Sequence, residues 1–158
     1  MQVLGVYSIQ LAICKCYNYY VLMIKNSEDC RSYCPINFVL ETLGDKWTLL
    51  IVRDLMFKGK NSYTEFLQSD EKISTNILAD RLKKLEDNGV VEKRVALDNR
   101  SKSIYSLTNK GKDLLPMMLE ITVWSAKYDS STNTPASFLR DFALSKNEMI
   151  TKLLSRLG

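Results

Sequence analysis

From residue 34 onward the apolar positions recur at helical spacing, then switch once to a period of two. Pro35 suits a first helical residue, where its missing N–H costs nothing. Phe38, Val39 and Leu43 follow on one face, and Gly44 ends that short helix. Asp45 is placed to cap a second helix, WTLLIVRDLMFKG, which stops at Gly59. Thr64 is placed to cap a third, EFLQS. Ser74 is placed to cap a fourth, in which Ile77, Leu78, Leu82 and Leu85 share a face and Asn88-Gly89 is the stop. The alternating stretches 90–96 and 103–108 read as strands joined by the polar turn LDNRSK. Thr108 then caps a long helix through Lys127, with Leu114, Leu115, Met118, Ile121 and Trp124 on its apolar side. Pro116 lies inside this run and predicts a kink or a later effective start. After the linker DSSTNTP and a short amphipathic stretch, Ser145 and Glu148 have capping-box form. A last helix is expected over 146–157, and its face of Met149, Ile150, Leu153, Leu154 and Leu157 needs a partner surface, from its own domain or a second chain.

Four helices, a hairpin and a further helix, in that order, describe a winged helix-turn-helix: mainly α with a small β-hairpin wing (α+β). The third and fourth helices are the helix-turn-helix and the hairpin is the wing. Three segments are expected: an N-terminal extension over 1–33, the winged domain over 34–128, and a linker with a C-terminal helix over 129–158. The apolar outer segments exceed what the central domain needs, so both are candidates for dimerisation. Met1–Lys25 is apolar and Tyr-rich, but Lys15 interrupts it along with Gln10 and Asn18. That pattern disfavours a signal peptide or a membrane span. Met23 offers an alternative start.

Composition narrows the chemistry. The 158 residues are 46% hydrophobic and 25% charged, enough for a packed core. No histidine is present, which excludes His-containing catalytic triads and His-ligated metals within one chain. The four cysteines, at 14, 16, 30 and 34, crowd the N-terminal end rather than spreading as in a disulfide scaffold. This favours a reducing compartment. C-x-C followed by C-x3-C is not a common zinc spacing. Glu41, Asp45 and Asp54 have capping or surface explanations, and no Gly-rich phosphate loop occurs, so neither an enzyme nor a cofactor is expected.

The net charge of +4 conceals an asymmetry. Residues 81–112 carry nine basic side chains (Arg81, Lys83, Lys84, Lys93, Arg94, Arg100, Lys102, Lys110 and Lys112). They are set against Glu86, Asp87, Glu92 and Asp98. The remainder of the chain is therefore slightly acidic. A basic segment spanning fourth helix and wing is the electrostatic footprint of duplex binding, although a solvated face produces the same count. With Leu78, Leu82 and Leu85 inward, Thr75, Asn76, Ala79 and Lys83 share the outward side, just after Ser74. Asn can pair bidentately with adenine and Thr can touch a thymine methyl. For Asn76 a plain first-turn polar residue is the competing reading. Lys83 and Lys84 suit phosphates. Arg100 and Lys102, at the wing, suit phosphates or a minor groove. Double-stranded DNA is the expected partner; a winged helix used only for protein interaction is the alternative.

CP (34–35), LGDKWTLLIVRDL (43–55), YTEF (63–66), ISTNILADRLKKLEDNGVVEKR (73–94), YSLTNKGKDLLP (105–116) and Trp124 together resemble the HxlR-type bacterial transcriptional regulators, relatives of the MarR-type winged-helix proteins. The resemblance implies a cytoplasmic homodimer on a palindromic operator, with dimer contacts from the flanking helices. It also implies a role for Cys34, which matches the position where some members sense oxidants or electrophiles. A thiol at a helix N-terminus is favoured as thiolate by the local N–H groups, and Arg31 is near in sequence. A half-buried structural cysteine is the competing reading. Members with a second cysteine near the C-terminus differ from this chain, where none follows Cys34. Cys34–Cys34′, Cys30–Cys34′ and a mixed disulfide with a small thiol remain open.

Overall fold

A computed structural model describes residues 32–96, 99–100 and 102–157. The expectations for Met1–Lys25, Cys14, Cys16, Cys30, Arg31 and Asp98 lie outside the described residues. The elements are α1 (Pro35–Leu43), α2 (Thr48–Phe57), α3 (Tyr63–Leu67), α4 (Thr75–Asp87), β1 (Val91–Val95), β2 (Ser103–Leu107), α5 (Asn109–Lys112), α6 (Leu115–Tyr128) and α7 (Ala136–Arg156). The chain divides into two units between Glu41 and Thr42, within the span of α1, and each is described by itself.

α1 starts at Pro35, and the carbonyl of Cys34 accepts the N–H of Phe38 at 3.1 Å. Ile36, Phe38 and Leu40 are exposed.

In the second unit, α2 and α4 form the frame. Asp45 Oδ1 accepts the N–H groups of Trp47 at 2.9 Å and Thr48 at 3.0 Å, and its other oxygen takes the Thr48 hydroxyl. The carboxylate thus satisfies orphan donors at the head of α2. Burial pushes the Asp45 pKa up, but the Thr48 hydroxyl, the two N–H groups and Arg81 together hold it below the usual range. Gly59, at φ +65, turns the chain out of α2.

α3 begins two residues earlier than expected. Ser62, not Thr64, is its N-cap, because the Glu65 carboxylate reaches back to the N–H groups of Asn61 at 2.9 Å and Ser62 at 3.0 Å. The turn to α4 passes through Lys72 at φ +52, a left-handed conformation costing a non-glycine residue roughly 1–2 kcal/mol. α4 ends as expected, with Asn88 as C-cap and Gly89 at φ +66.

The hairpin is antiparallel, pairing Val91 with Leu107, Lys93 with Tyr105, and Val95 with Ser103. The loop before α3 joins it: Ser62 bridges Ile104, and Asn61 O accepts the Tyr105 N–H at 2.7 Å. The core lies where α2, α4 and the strands meet, with Val52, Phe66, Leu78, Leu85, Val90 and Val91 fully buried.

Thr108 caps only the short α5, its hydroxyl oxygen accepting the Gly111 N–H at 3.2 Å. The helix then restarts at Leu115 with Pro116 in its first turn, so the proline marks a later start rather than a kink. Gly111 is buried, and a β-carbon there would run into the carbonyl oxygen of Val90 and press on Leu107. Gly111→Ala should therefore cost about 1–3 kcal/mol in urea unfolding. A melt superimposable on that of the parent chain would refute this close approach.

α7 is longer than expected. Its span begins at Ala136, directly after Pro135, and holds two helices joined across a kink at Ser145. Ser145 has non-helical angles (φ −148, ψ 56), so the expected last helix follows it, and the short amphipathic stretch before it is helical as well. α7 packs on α6, where Lys146 pairs with Glu120 at 2.5 Å, yet no residue of α7 is buried.

Candidate nucleic-acid interface

The outward side of α4 forms as its spacing dictates. Ser74, Thr75, Asn76, Ala79 and Lys83 are exposed, while Leu78, Leu82 and Leu85 are buried beneath them. Ser74 is the N-cap residue, but its side chain makes no capping bond; its carbonyl accepts the Leu78 N–H at 2.9 Å. The Tyr63 hydroxyl donates to the Thr75 carbonyl at 2.7 Å, pinning the first turn of α4 to the start of α3. No pattern in the sequence announces this bond, because Tyr63 stands there just before the expected cap, Thr64.

The basic residues are not equivalent once folded. Lys83 is exposed and pairs with Asp87 at 2.9 Å, and this carboxylate holds its ammonium pKa above the usual value. Lys84 is half-buried, less available than Lys83. Arg100 and Lys102 are exposed at the hairpin turn, where the Lys102 N–H donates to Asn99 O at 2.9 Å.

Three other cations counted in the basic segment are engaged internally. Arg81 reaches Asp45 at 3.0 Å and also pairs with Asp80, which lies one residue outside that segment. Arg94 pairs with Glu92 at 2.7 Å on the hairpin. Lys110 donates to the carbonyl of Asn88 at 2.7 Å, holding the end of α4. Arg81 and Lys110 thereby orient α4 more than they extend its field.

Cys34 is a free, exposed thiol directly before α1. Its N–H donates to the Ser32 hydroxyl at 3.4 Å. Among the described residues, no three His, Cys, Asp or Glu side chains gather as a metal site, and no helix is long and apolar enough to cross a membrane.

Known proteins share this architecture. YdeP of Bacillus subtilis (strain 168), an HTH-type transcriptional regulator, is 34% identical over 107 residues, covering 68% of this chain and 83% of YdeP. YodB of the same organism, also an HTH-type transcriptional regulator, is 35% identical over 99 residues, covering 62% of this chain and 88% of YodB. The solved reduced form of YodB superposes with a TM-score of 0.52 over 63% of this chain and 98% of that one, at 32% identity. The oxidised form of the redox regulator HypR superposes with a TM-score of 0.53 over 60% of this chain and 96% of its own, at 30% identity. Residues 42–133, from the last turn of α1 to the linker after α6, match the HxlR-like helix-turn-helix profile. Matched over more than half its length and folded as a winged helix, the chain belongs to the HxlR-like helix-turn-helix family of transcriptional regulators.

Proposed function

We propose that the protein is a cytoplasmic, sequence-specific DNA-binding regulator that acts as a homodimer on a palindromic operator, by binding and without catalysis. The observation carrying this reading is the exposed Thr75–Asn76–Ala79–Lys83 side of α4, beside a wing that presents Arg100 and Lys102. An α-helix fits the major groove, where amide and methyl-bearing side chains read base edges and lysines hold the backbone. Ser74 and Lys84 belong to the same surface, at the head of α4 and on its flank.

Dimerisation is supported by apolar surface that a small monomer rarely leaves in water. On α6, Ile121, Trp124 and Tyr128 are exposed, Trp124 by 65%. On α1, Ile36, Phe38 and Leu40 are exposed, and α7 has no buried residue. Two copies joined through such helices would set their α4 helices about one helical turn apart on one DNA face.

A gel shift with DNA from upstream of the protein's own gene tests the reading. Retention of that duplex over a scrambled one of equal length, persisting at moderate salt, is the expected result. Binding that ignores sequence and vanishes at moderate salt would instead favour the protein-interaction alternative.

Cys34 is assigned as the switch. Its thiol is exposed at a helix N-terminus, and the related YodB has been solved in reduced and quinone-bound forms. Mild oxidant or quinone should release DNA from the parent chain and leave Cys34→Ser bound, with a new species on a non-reducing gel only for the parent. Equal release from both proteins would eliminate the switch.

A further inference from the structure

We propose that the cleft between α4 and the hairpin seats one sugar–phosphate ridge of the duplex, with Lys93 as a phosphate contact. The inference rests on the DNA-binding reading above and extends it to a wall and a residue that the outward stripe of α4 does not include. The cleft holds about 1030 Å³. Ala79 and Lys83 form its α4 side, Lys93, Lys102 and Tyr105 its hairpin side, and Tyr63 its floor towards α3.

Strand alternation decides which cations face it. Val91, Lys93 and Val95 share one face of β1, opposite Leu107, Tyr105 and Ser103 of β2. Val91, Tyr105 and Leu107 are buried, and β1 packs on α4, so this face is turned towards α4. Glu92 and Arg94 occupy the other face and pair with each other. Two adjacent cations, Lys93 and Arg94, are thus parted: the first lines the cleft and the second does not. Lys93 Nζ stands 5.9 Å from the Tyr105 ring centroid, and among the described residues no carboxylate pairs with it. The aromatic ring supports the stem and leaves the ammonium head available.

Duplex geometry then supplies the occupant. A helix lying in a major groove about 12 Å wide has a phosphate ridge on either side. Ala79 and Lys83 belong both to the outward stripe of α4 and to the cleft wall. With that stripe against the bases, the ridge on the wing side passes between α4 and the hairpin. Glu86 and Asp87 line the end of the cleft near the C-terminus of α4 and repel phosphate there, so the ridge follows the Lys93–Lys102 wall. A phosphate beside Lys83 competes with Asp87 for its ammonium.

The test is equilibrium binding of the full chain, Lys93→Ala and a comparison variant, Lys152→Ala, to the upstream duplex and a scrambled duplex across a salt series. Lys152 lies on α7 and is exposed. Lys93→Ala should weaken both duplexes by similar factors, about three- to tenfold, and reduce the slope of log affinity against log salt by about 1. Lys152→Ala should match the parent chain, and all three should unfold at the same temperature. A parent chain that binds the upstream duplex specifically while Lys93→Ala keeps its affinity and slope overturns the cleft assignment alone. A parent chain that binds neither duplex overturns the DNA-binding reading and this inference with it.

Discussion

Replacing Asp54 by alanine is expected to destabilise the protein by about 3–5 kcal/mol, the usual cost of removing one partner from a buried ionic cluster. Asp54 is 2% exposed and ties three parts of the helix-turn-helix together. Its carboxylate accepts from Arg53 at 2.6 and 2.9 Å, sits 3.2 Å from Lys60 Nζ, and takes the hydroxyl of Ser69. Its backbone carbonyl accepts the N–H groups of Lys58 and Lys60, both at 3.2 Å. Arg53 continues to Glu71 at 3.0 Å, so the cluster spans the end of α2, the loop before α3 and the turn before α4. Alanine would leave two cations facing a desolvated gap. Asp54→Asn keeps the shape and one acceptor and should cost less. Urea unfolding followed by circular dichroism measures both; a loss below about 1 kcal/mol for Asp54→Ala would refute the cluster's role.

The same cluster sets an acid limit. Burial pushes the Asp54 pKa up, but hydrogen bonds from Ser69, Arg53 and Lys60 outweigh it and hold the value below the usual range. The Arg53 guanidinium lowers Glu71 to about 2. Both carboxyls titrate lower folded than unfolded, so their stabilisation is full above the unfolded values, about 4, and is lost as pH falls through the folded ones. Stability should therefore be level from neutrality to about pH 5 and decline from there towards pH 2, less steeply in Asp54→Asn.

The second large effect concerns recognition. Asn76→Ala should lower affinity for the operator by roughly 5- to 150-fold, the range for one bidentate base contact, and barely change affinity for scrambled DNA. Lys83→Ala should weaken both duplexes similarly and reduce the salt slope by about 1. Both residues are exposed, so neither change should unfold the chain. Fluorescence anisotropy on the two duplexes reads the ratio directly. Equal effects from the two substitutions would undo the division of labour between base reading and phosphate binding.

Local periodicity made much of the fold legible. α2, α4 and both strands lie within a residue or two of expectation, because each has one buried face and a clear stop, such as Asn88-Gly89 or Gly59. The start of α3 was displaced because Thr64 and Ser62 are both capping types, and only the reach of Glu65 selects between them. Ser145 and Glu148 mark the helix that follows the kink, whereas the helical turns from Ala136 to Leu144 were hidden because Pro135 offers no capping side chain. The outward stripe of α4 was readable as the complement of Leu78, Leu82 and Leu85. The charge was not: a segment count cannot show that Arg81 meets Asp45, far earlier in the chain, or which of Lys93 and Arg94, on opposite faces of one strand, is turned towards α4. These depend on tertiary packing, as does the hydroxyl of Tyr63 on the first turn of α4.

The central claim is that two copies place α4 in successive major grooves of a specific duplex. Hydroxyl-radical footprinting on the DNA upstream of the protein's own gene, with methylation interference at guanine N7, tests it most directly. Two protected stretches about one helical turn apart on one face, with interference inside each half-site, is the result expected. Uniform protection no stronger than on unrelated DNA, with no interfering methylation, would contradict it.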